Sequence, residues 1–250
     1  MKQETSCSAS AQPQISADHV KLCSSGTLRG VLFDIDGTLC DSDPLHLKAF
    51  QVILAREGVC DGEKIDYDFF KRNISGRSNV EIFSELFPER GAAEQLALAD
   101  EKEALYRDLA VGDLQAMKGL ASLTEWLKQR GVRCAAVTNA PRQNAELMLK
   151  GVGLDGYFEH VVIGSECAAA KPSPEPYIQG MKLLGVDATE AFAVEDSKPG
   201  MQAAIAAQLP LVGVTTTQSA RELIEGGAIL AVADFEDSLL WNALSTLNTD

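Results

Sequence analysis

The stretch Val31-Leu32-Phe33-Asp34-Ile35-Asp36-Gly37-Thr38-Leu39-Cys40-Asp41 joins a short apolar run to a turn rich in acidic residues. A continuous apolar run is typical of a strand buried on both faces, as in a parallel sheet covered by helices. Gly37 permits a tight turn whose backbone N–H groups can face an anion. The carboxylates of Asp34 and Asp36 can then act on one phosphorus, one as nucleophile and one as general acid or base. Taken alone, the Asp-Gly pair is also an ordinary turn signal.

Four further apolar runs end abruptly in polar residues and are followed by helical patterns: 135–137, 161–163, 191–194 and 211–214. The intervening segments carry helix-starting prolines and helix-ending glycines, namely Pro141, Pro174, Pro199, Gly131, Gly151 and Gly185. Strands that alternate with helices through short connections predict an α/β domain with a doubly wound, Rossmann-like parallel sheet.

The segment between the first two predicted strands breaks this alternation. It contains three stretches of helical spacing, 45–57, 79–87 and 92–110, and no convincing strand. We therefore predict an α-helical cap, residues 44–115, inserted into an α/β core made of residues 27–43 and 116–250. Residues 1–26 are rich in Ser and Ala and lack an apolar signal-peptide core, so a flexible N-terminal leader is predicted.

Composition and charge exclude several classes of partner. The chain has 250 residues, of which 46% are hydrophobic and 23% charged, as expected for a globular protein. No apolar run approaches the roughly 18 to 20 residues of a membrane span. The formal net charge of −14 argues against a nucleic-acid partner, and the six cysteines form no metal-binding or redox pair. We expect a cytoplasmic protein with reduced thiols, whose oligomeric state the sequence leaves open, with a monomer as the default.

Polar residues follow several of the predicted strands. Asp34, Thr138 and the pair Glu195-Asp196 lie at strand ends, and ligands of open parallel sheets bind beyond the carboxyl ends of the strands. Lys171 lies eight residues past Ile163, in a loop that can approach the same edge. Facing carboxylates repel each other unless a cation lies between them. An all-oxygen site of this kind suits Mg²⁺.

These positions carry a resemblance to a known family. The octapeptide 34–41 resembles the first motif of the haloacid dehalogenase superfamily, DxDGT(L/V)xD, and three further motifs follow in order at Thr138, Lys171 and Glu195-Asp196. The resemblance covers about residues 30–237. The cap position and the Lys-Pro and Glu-Asp-Ser details are similar to the β-phosphoglucomutase-like subfamily and, within it, to the small sugar-phosphate phosphatases of plants.

The resemblance implies a role for each motif residue. Asp34 is expected to be the nucleophile, and Asp36 the general acid/base whose backbone carbonyl also binds the metal. Thr138 is expected to hydrogen-bond the transferring phosphoryl group, and Lys171 to offset the charge of Asp34 and the phosphate. The predicted Mg²⁺ ligands are Asp34, Asp36, Glu195 and Asp196. An acid at position 36 argues against dehalogenation, because the dehalogenase members lack it.

The implied activity is that of a phosphoric monoester hydrolase for small phosphorylated metabolites, sugar phosphates first, acting through an aspartyl-phosphate. The predicted substrate-binding residues are Asn139, Arg77, Gly76 and His46. Asn139 touches the phosphoryl group or caps the helix that Pro141 begins. Arg77, beside Gly76, grips the substrate or is a solvated loop arginine. His46 faces the substrate or is a partly exposed helix histidine.

Three residues next to the first motif complete the set. Asp41 and Ser42, at the exit into the cap, either support the site from behind or cap the first cap helix. Cys40 is expected to be a packed residue.

The main alternative function is a phosphomutase that uses the same phospho-aspartate. A mutase needs a second phosphate grip in the cap, for which the β-phosphoglucomutase pattern has a Lys-Gly pair and an Arg three residues after the Gly. Aligned on Gly76, Ser75 and Asn79 occupy those places and Arg77 is displaced. We therefore expect transfer to water. A further alternative, a non-catalytic protein that binds phosphometabolites, calls for a lost motif residue, and none is lost.

Overall fold

A parallel sheet forms the centre of the computed structural model, which describes residues 21–59, 65–74 and 77–249. Its strands are Gly30–Phe33 (β1), Arg133–Thr138 (β2), His160–Ile163 (β3), Ala191–Glu195 (β4), Leu211–Val214 (β5) and Leu230–Val232 (β6). Their order is β3-β2-β1-β4-β5-β6, and every neighbouring pair is parallel. The predicted doubly wound sheet is confirmed. The chain reverses its direction of winding at β1, and the crevice at such a switch point is where ligands bind.

The strands read as continuous apolar runs because both faces of the sheet are covered. Successive residues of β1 alternate between two hydrophobic cores: Val31 and Phe33 belong to one, and Leu32 belongs to the other. All five apolar runs predicted to be strands form strands. The sequence analysis missed β6, although its three residues lie within an apolar run, 228–233, that ends at Asp234.

The described helices are Asp43–Arg56 (α1), Tyr67–Asn73 (α2), Asn79–Leu86 (α3), Ala92–Ala110 (α4), Leu120–Gln129 (α5), Arg142–Gly151 (α6), Glu175–Leu184 (α7), Lys198–Ala206 (α8), Ala220–Glu225 (α9) and Ser238–Ser245 (α10). Helices α1 to α4 lie between β1 and β2, and the described residues of this insert contain no strand. The insert has its own hydrophobic cluster, which includes Phe50, Phe70 and Phe83. The predicted α-helical cap is confirmed.

Two chain crossings connect the cap to the sheet, and they run side by side. Cys40, on the way out, forms an antiparallel bridge with Ala116, on the way back, and the Met117 N–H donates to the Leu39 carbonyl over 2.8 Å. Cys40 is fully buried, as expected for a packed residue. This pairing supports a cap boundary close to residues 44 and 115, and the exact division of the chain stays a prediction. The leader prediction falls mainly on residues 1–20, outside the described part.

None of the described helices combines the length and apolar character that crossing a bilayer requires.

Candidate active site

The end of β1 lies between the ends of β2 and β4, and this brings the motif residues together. The Asp34 N–H donates to the Val194 carbonyl over 3.0 Å, which continues the β1–β4 pairing up to the first acidic residue. One carboxylate oxygen each from Asp34, Glu195 and Asp196 lie within 4.8 Å of one another, and all three residues are buried. The predicted convergence of these carboxylates at one edge of the sheet is present in the fold.

Lys171 is the buried cation of this cluster. Its Nζ donates to Asp34 Oδ1 over 2.7 Å, to Glu195 Oε1 over 2.6 Å and to the Val137 carbonyl over 2.6 Å. An ammonium group has three donors, so these three contacts use all of them. Lys171 thereby joins the ends of β1, β2 and β4.

Glu195 uses both of its carboxylate oxygens within the protein. Besides Lys171, Oε1 accepts from Tyr177 Oη over 2.8 Å, and Oε2 accepts from Ser197 Oγ over 3.1 Å. The carboxylate also lies against Gly200, where a Cβ would approach it to 1.8 Å. These contacts fix the orientation of the Glu195 side chain before any metal binds. The main role of this carboxylate within the protein is to hold Lys171.

Asp196 has a different environment. It is 1% exposed, and in the described part of the chain it takes part in no ion pair. Its Oδ1 accepts from Thr38 Oγ1 over 3.4 Å, and its Oδ2 from Thr216 Oγ1 over 3.3 Å. Burial raises the pKa of Asp196 well above its ordinary value, and the nearby Asp34 and Glu195 raise it further.

The cluster carries more negative charge than Lys171 can balance. Burial raises the pKa of Asp34 to about 7, against the opposing effect of Lys171 and with additional raising by Glu195 and Asp36. Three converging carboxylates with one ammonium group leave room for a further cation, and hard oxygen ligands favour an ion such as Mg²⁺ or Ca²⁺ over soft metals. The residues therefore fit a divalent metal ion.

Asp36 points to the other side of the turn, toward the cap. Its Oδ1 accepts a hydrogen bond from Ser42 Oγ, and its Oδ2 lies 2.9 Å from His46 Nε2. Burial acts to raise the pKa of Asp36, but the charge and hydrogen bond of His46, together with the charge of Lys102, outweigh it, and the pKa is lowered. Asp36 is not among the three converging carboxylates, and metal binding through its backbone carbonyl stays a prediction.

His46 belongs to a buried polar network that continues into the cap. Its ring stacks on Tyr106 with 3.9 Å between centroids, and its Nδ1 lies 2.6 Å from Lys102 Nζ. Lys102 pairs with Glu103 over 3.0 Å, and Glu103 in turn accepts from the side chain of Asn144 on α6. This network links Asp36 to the cap helix α4 and back to the core. His46 is therefore held by protein partners on both ring nitrogens and is not a free surface histidine; its predicted contact with substrate stays a prediction.

Ser42 supports the site rather than the helix. It stands at the N-cap position of α1 but makes no side-chain capping bond, because its hydroxyl is donated to Asp36. Asp41 accepts a hydrogen bond from the backbone of Asp43, as a residue ahead of a helix does. Of the two roles that the sequence left open, Ser42 thus supports the site, and Asp41 bonds to the start of the first cap helix.

Thr138 and Asn139 extend the site along the end of β2. Thr138 is 1% exposed and its Oγ1 accepts from the Ala140 N–H over 3.0 Å. The Asn139 side chain exchanges two hydrogen bonds with the backbone of Lys171, at 3.0 and 3.1 Å. Asn139 thus fixes the lysine loop. The alternative that it caps α6 is wrong, since α6 begins after Pro141 with no side-chain cap.

The cap residues proposed for substrate binding are less closely tied to this centre. The Arg77 guanidinium pairs with Glu85 at 2.5 Å and donates to the Asn73 carbonyl over 3.0 Å. It lines a small groove between α2 and α3 together with Phe69, Ile82 and Leu86. Gly76 lies outside the described residues.

Several residues at the site were missed by the sequence analysis, namely Thr38, Lys102, Glu103, Tyr177 and Thr216. Only Lys102 had a readable signal: it interrupts the apolar stripe of Leu98, Ala99 and Tyr106 at helical spacing, and a lysine on a buried helix face calls for a partner. Thr38, Tyr177 and Thr216 carry hydroxyl groups, and Glu103 is one of several acidic residues of α4, so these four look ordinary until the chain folds.

Fold and site together define a class of α/β enzyme in which buried carboxylates and one lysine meet at the switch point of a parallel sheet beneath a helical cap. The model of the haloacid dehalogenase-like hydrolases matches residues 28–208. The chain therefore belongs to the haloacid dehalogenase-like hydrolase family, and the resemblance seen in its motifs is confirmed.

Individual proteins similar to this chain include phosphatases of phosphorylated sugars. A phosphorylated carbohydrates phosphatase from Thermotoga maritima is 27% identical over 211 residues, which is 82% of this chain and 94% of that protein. The fructose-1-phosphate phosphatase YqaB of Escherichia coli is 28% identical over 187 residues, 74% of this chain and 95% of its own. The crystal structure of a putative β-phosphoglucomutase from Thermotoga maritima superposes with a TM-score of 0.67 at 26% identity, covering 87% of this chain and 99% of that one.

Proposed function

We propose that the chain is a Mg²⁺-dependent phosphatase of small sugar phosphates that works through a phospho-aspartate on Asp34. The observation that carries this proposal is the division of the acidic residues into two environments. Asp34 lies in the buried cluster with Lys171 and Asp196, whereas Asp36 is turned away and held by Ser42 and His46. One carboxylate is thus arranged to attack and the other to exchange a proton.

In the first step, an Asp34 oxygen attacks phosphorus and the sugar hydroxyl leaves. Asp36 supplies the proton that the departing oxygen takes up. The contact of Lys171 with Asp34 orients the nucleophile and offsets its charge as the anionic substrate approaches. We infer that Thr138 donates to an oxygen of the transferring phosphoryl group, since its Oγ1 accepts from Ala140 and leaves the hydroxyl proton free to donate.

In the second step, Asp36 accepts a proton from a water molecule, which attacks the same phosphorus and releases Asp34 and inorganic phosphate. A bound Mg²⁺, held by Asp34, Asp196 and the predicted Asp36 carbonyl with Glu195 beside it, would neutralise charge on the phosphoryl oxygens. The protein's own task is to present Asp34, Asp36 and Lys171 in fixed directions before substrate arrives.

The substrate class comes from the relatives, two of which are named for the hydrolysis of phosphorylated carbohydrates. We propose that Arg77, Gly76, Asn139 and His46 contribute to substrate binding, with Arg77 leaving Glu85 to hold a sugar or phosphate oxygen. Small phosphorylated metabolites are thus the proposed partners; a cytoplasmic location and a monomeric state stay predictions.

A β-phosphoglucomutase-type isomerisation is the second candidate, and the likeness to a putative β-phosphoglucomutase favours it. A mutase returns the phosphoryl group to a second sugar hydroxyl, which must displace water from Asp36. The cap of this chain lacks the Lys-Gly and Arg arrangement of the mutases. Conversion of β-glucose-1-phosphate to glucose-6-phosphate without net release of phosphate would establish the mutase and refute the phosphatase.

The experiment that tests the proposal is phosphate release from a panel of phosphorylated sugars, with Mg²⁺ and with EDTA. Wild type is compared with Asp34→Asn and with the matched control Asp41→Asn, which alters an exposed aspartate of the same motif. We expect release that requires Mg²⁺, that Asp34→Asn abolishes and that Asp41→Asn retains. Release unaffected by Asp34→Asn would refute the covalent mechanism, and no release from any sugar phosphate would refute the function.

A further inference from the structure

The loop that follows β5, residues 215–219, lies against the acidic cluster although it carries none of the four motifs. Thr217 Oγ1 and Gln218 Nε2 both donate to the main-chain carbonyl of Asp196, the latter over 3.0 Å. These two contacts fix the backbone at the end of β4. They do not act on the Asp196 carboxylate itself.

Thr216 is the loop residue that reaches the carboxylate. Its Oγ1 lies 3.3 Å from Asp196 Oδ2 and 2.5 Å from the Gly37 carbonyl. One hydroxyl therefore joins the side chain of Asp196 to the turn that carries Asp34 and Asp36.

The approach between that turn and Asp196 is close. Gly37 has φ +82°, and a Cβ at this position would lie 2.1 Å from Asp196 Oδ2. The Asp196 carboxylate thus packs directly against the backbone of the turn, and only a residue without a Cβ allows this contact. Thr216 contacts this same oxygen, Oδ2, whereas Thr38 contacts the other carboxylate oxygen, Oδ1.

We propose that Thr216 is a positioning residue for the metal site, which holds the Asp196 carboxylate in the orientation that brings it to a common ion with Asp34. The proposal rests on the proposed function, since it assigns Thr216 a role toward Mg²⁺. Thr216 is not itself one of the converging ligands; it acts through Asp196. Removing an outer partner of a metal ligand costs about 10- to 100-fold in metal affinity in comparable sites.

The test compares Thr216→Val, which keeps the size and removes the hydroxyl, with Thr216→Ser, which restores the hydroxyl. Thr215→Val is the matched control, because the only hydrogen bond described for Thr215 is made by its backbone N–H. Mg²⁺ affinity is measured by calorimetry on the substrate-free protein and by the Mg²⁺-dependent rise in Tm. We expect about 10- to 100-fold weaker binding in Thr216→Val and near-wild-type binding in Thr216→Ser and Thr215→Val, with the KM for sugar phosphate at saturating Mg²⁺ unchanged.

Equal Mg²⁺ affinity in wild type and Thr216→Val would overturn the proposal, as would weak binding that Thr216→Ser fails to restore. If Thr216→Val does not fold, Thr216→Cys replaces it, since a thiol is a weaker donor of nearly the same size as serine. The Thr216→Cys protein must then bind Mg²⁺ more weakly than the Thr216→Ser protein. Equal Mg²⁺ affinities of these two variants would refute the role of the hydroxyl. A wild-type protein that shows no response to Mg²⁺ refutes the proposed function instead, so the two failures are distinguishable.

Discussion

Replacing His46 by phenylalanine tests whether the cap tunes the proton-transferring carboxylate. Phenylalanine keeps a ring that can stack on Tyr106, at 3.9 Å in the wild type, but removes both ring nitrogens. Asp36 then loses its 2.9 Å contact with Nε2, and Lys102 loses its 2.6 Å contact with Nδ1. Lys102 keeps its ion pair with Glu103, so the cap network is shortened rather than dismantled.

The size of the effect follows from the environment of Asp36. A hydrogen bond to a charged group contributes about 1.5 to 3 kcal/mol, and each pKa unit corresponds to about 1.4 kcal/mol. His46 lowers the pKa of Asp36 against the effect of burial, so its removal should cost the ionised carboxylate about 1.5 to 3 kcal/mol and raise its pKa. At acidic pH a larger share of Asp36 is then protonated. Protonated Asp36 serves the first step and fails the second, where it must accept a proton from water.

The assay is rapid-quench kinetics with a sugar phosphate over a range of pH, following leaving-group release and phosphoenzyme separately. We expect phospho-Asp34 to accumulate in His46→Phe at acidic pH, and the acidic limb of its hydrolysis to move to higher pH than in the wild type. His160→Asn is the control, because His160 lies at the start of β3, away from the strand ends that form the site. Mg²⁺ affinity should not change, since His46 touches none of the converging carboxylates. A pH profile identical to wild type would refute the argument, even if the rate fell.

Three further predictions follow from the same charges. Lys171→Met should abolish phosphate release and lower the free energy of unfolding in EDTA by about 3 to 5 kcal/mol, as expected when a buried ion pair loses one partner; urea unfolding measures this, and unchanged stability would contradict it. Because the pKa of Asp34 rises from 3.8 to about 7 on folding, the folded, metal-free protein binds a proton that the unfolded chain lacks between those values. Its stability should therefore fall as pH rises from about 4 to 7, and Mg²⁺ should raise Tm more at about pH 8 than at about pH 5; an equal rise at both would count against the ionised metal site. Arg77→Ala should raise KM for a sugar phosphate about tenfold with little change in kcat, as loss of one charged contact predicts, whereas the neighbouring control Arg72→Ala should not; parallel behaviour of the two variants would remove Arg77 from the substrate site.

The sequence predicted the sheet and the motif residues because both leave local signals. A strand buried on both faces must be apolar along its whole length, and Asp34, Thr138 and Glu195 each mark the point where such a run stops. Parallel pairing then brings these stops to one edge without further information. The apolar run 228–233, which contains β6 and stops at Asp234, carries the same signal and was overlooked.

Most residues that contact the motif side chains, such as Thr216 and Tyr177, could not be predicted. They are ordinary in sequence, and only the folded chain brings them to the site. Thr216 contacts Gly37, 179 positions away, and Tyr177 on α7 contacts Glu195 at the end of β4. The orientation of Asn139 could not be predicted either, because its side chain bonds to the backbone of Lys171, 32 positions away. Such choices depend on which partner lies closer in space.

The arrangement explains how two aspartates two positions apart can serve opposite functions. Asp34 and Asp36 share one turn, but the cluster of Asp196 and Lys171 faces the first and the cap network of His46 and Lys102 faces the second. The partner of Asp34 is Lys171, in the loop of the core between β3 and α7, whereas the network of Asp36 comes from α1 and α4, which belong to the cap. Any movement of the cap relative to the sheet would therefore alter the surroundings of Asp36, the proposed proton-transferring group, and leave Lys171 in contact with Asp34, the proposed nucleophile. Proton transfer, rather than nucleophilic attack, is thus the step through which this fold can make chemistry depend on cap closure.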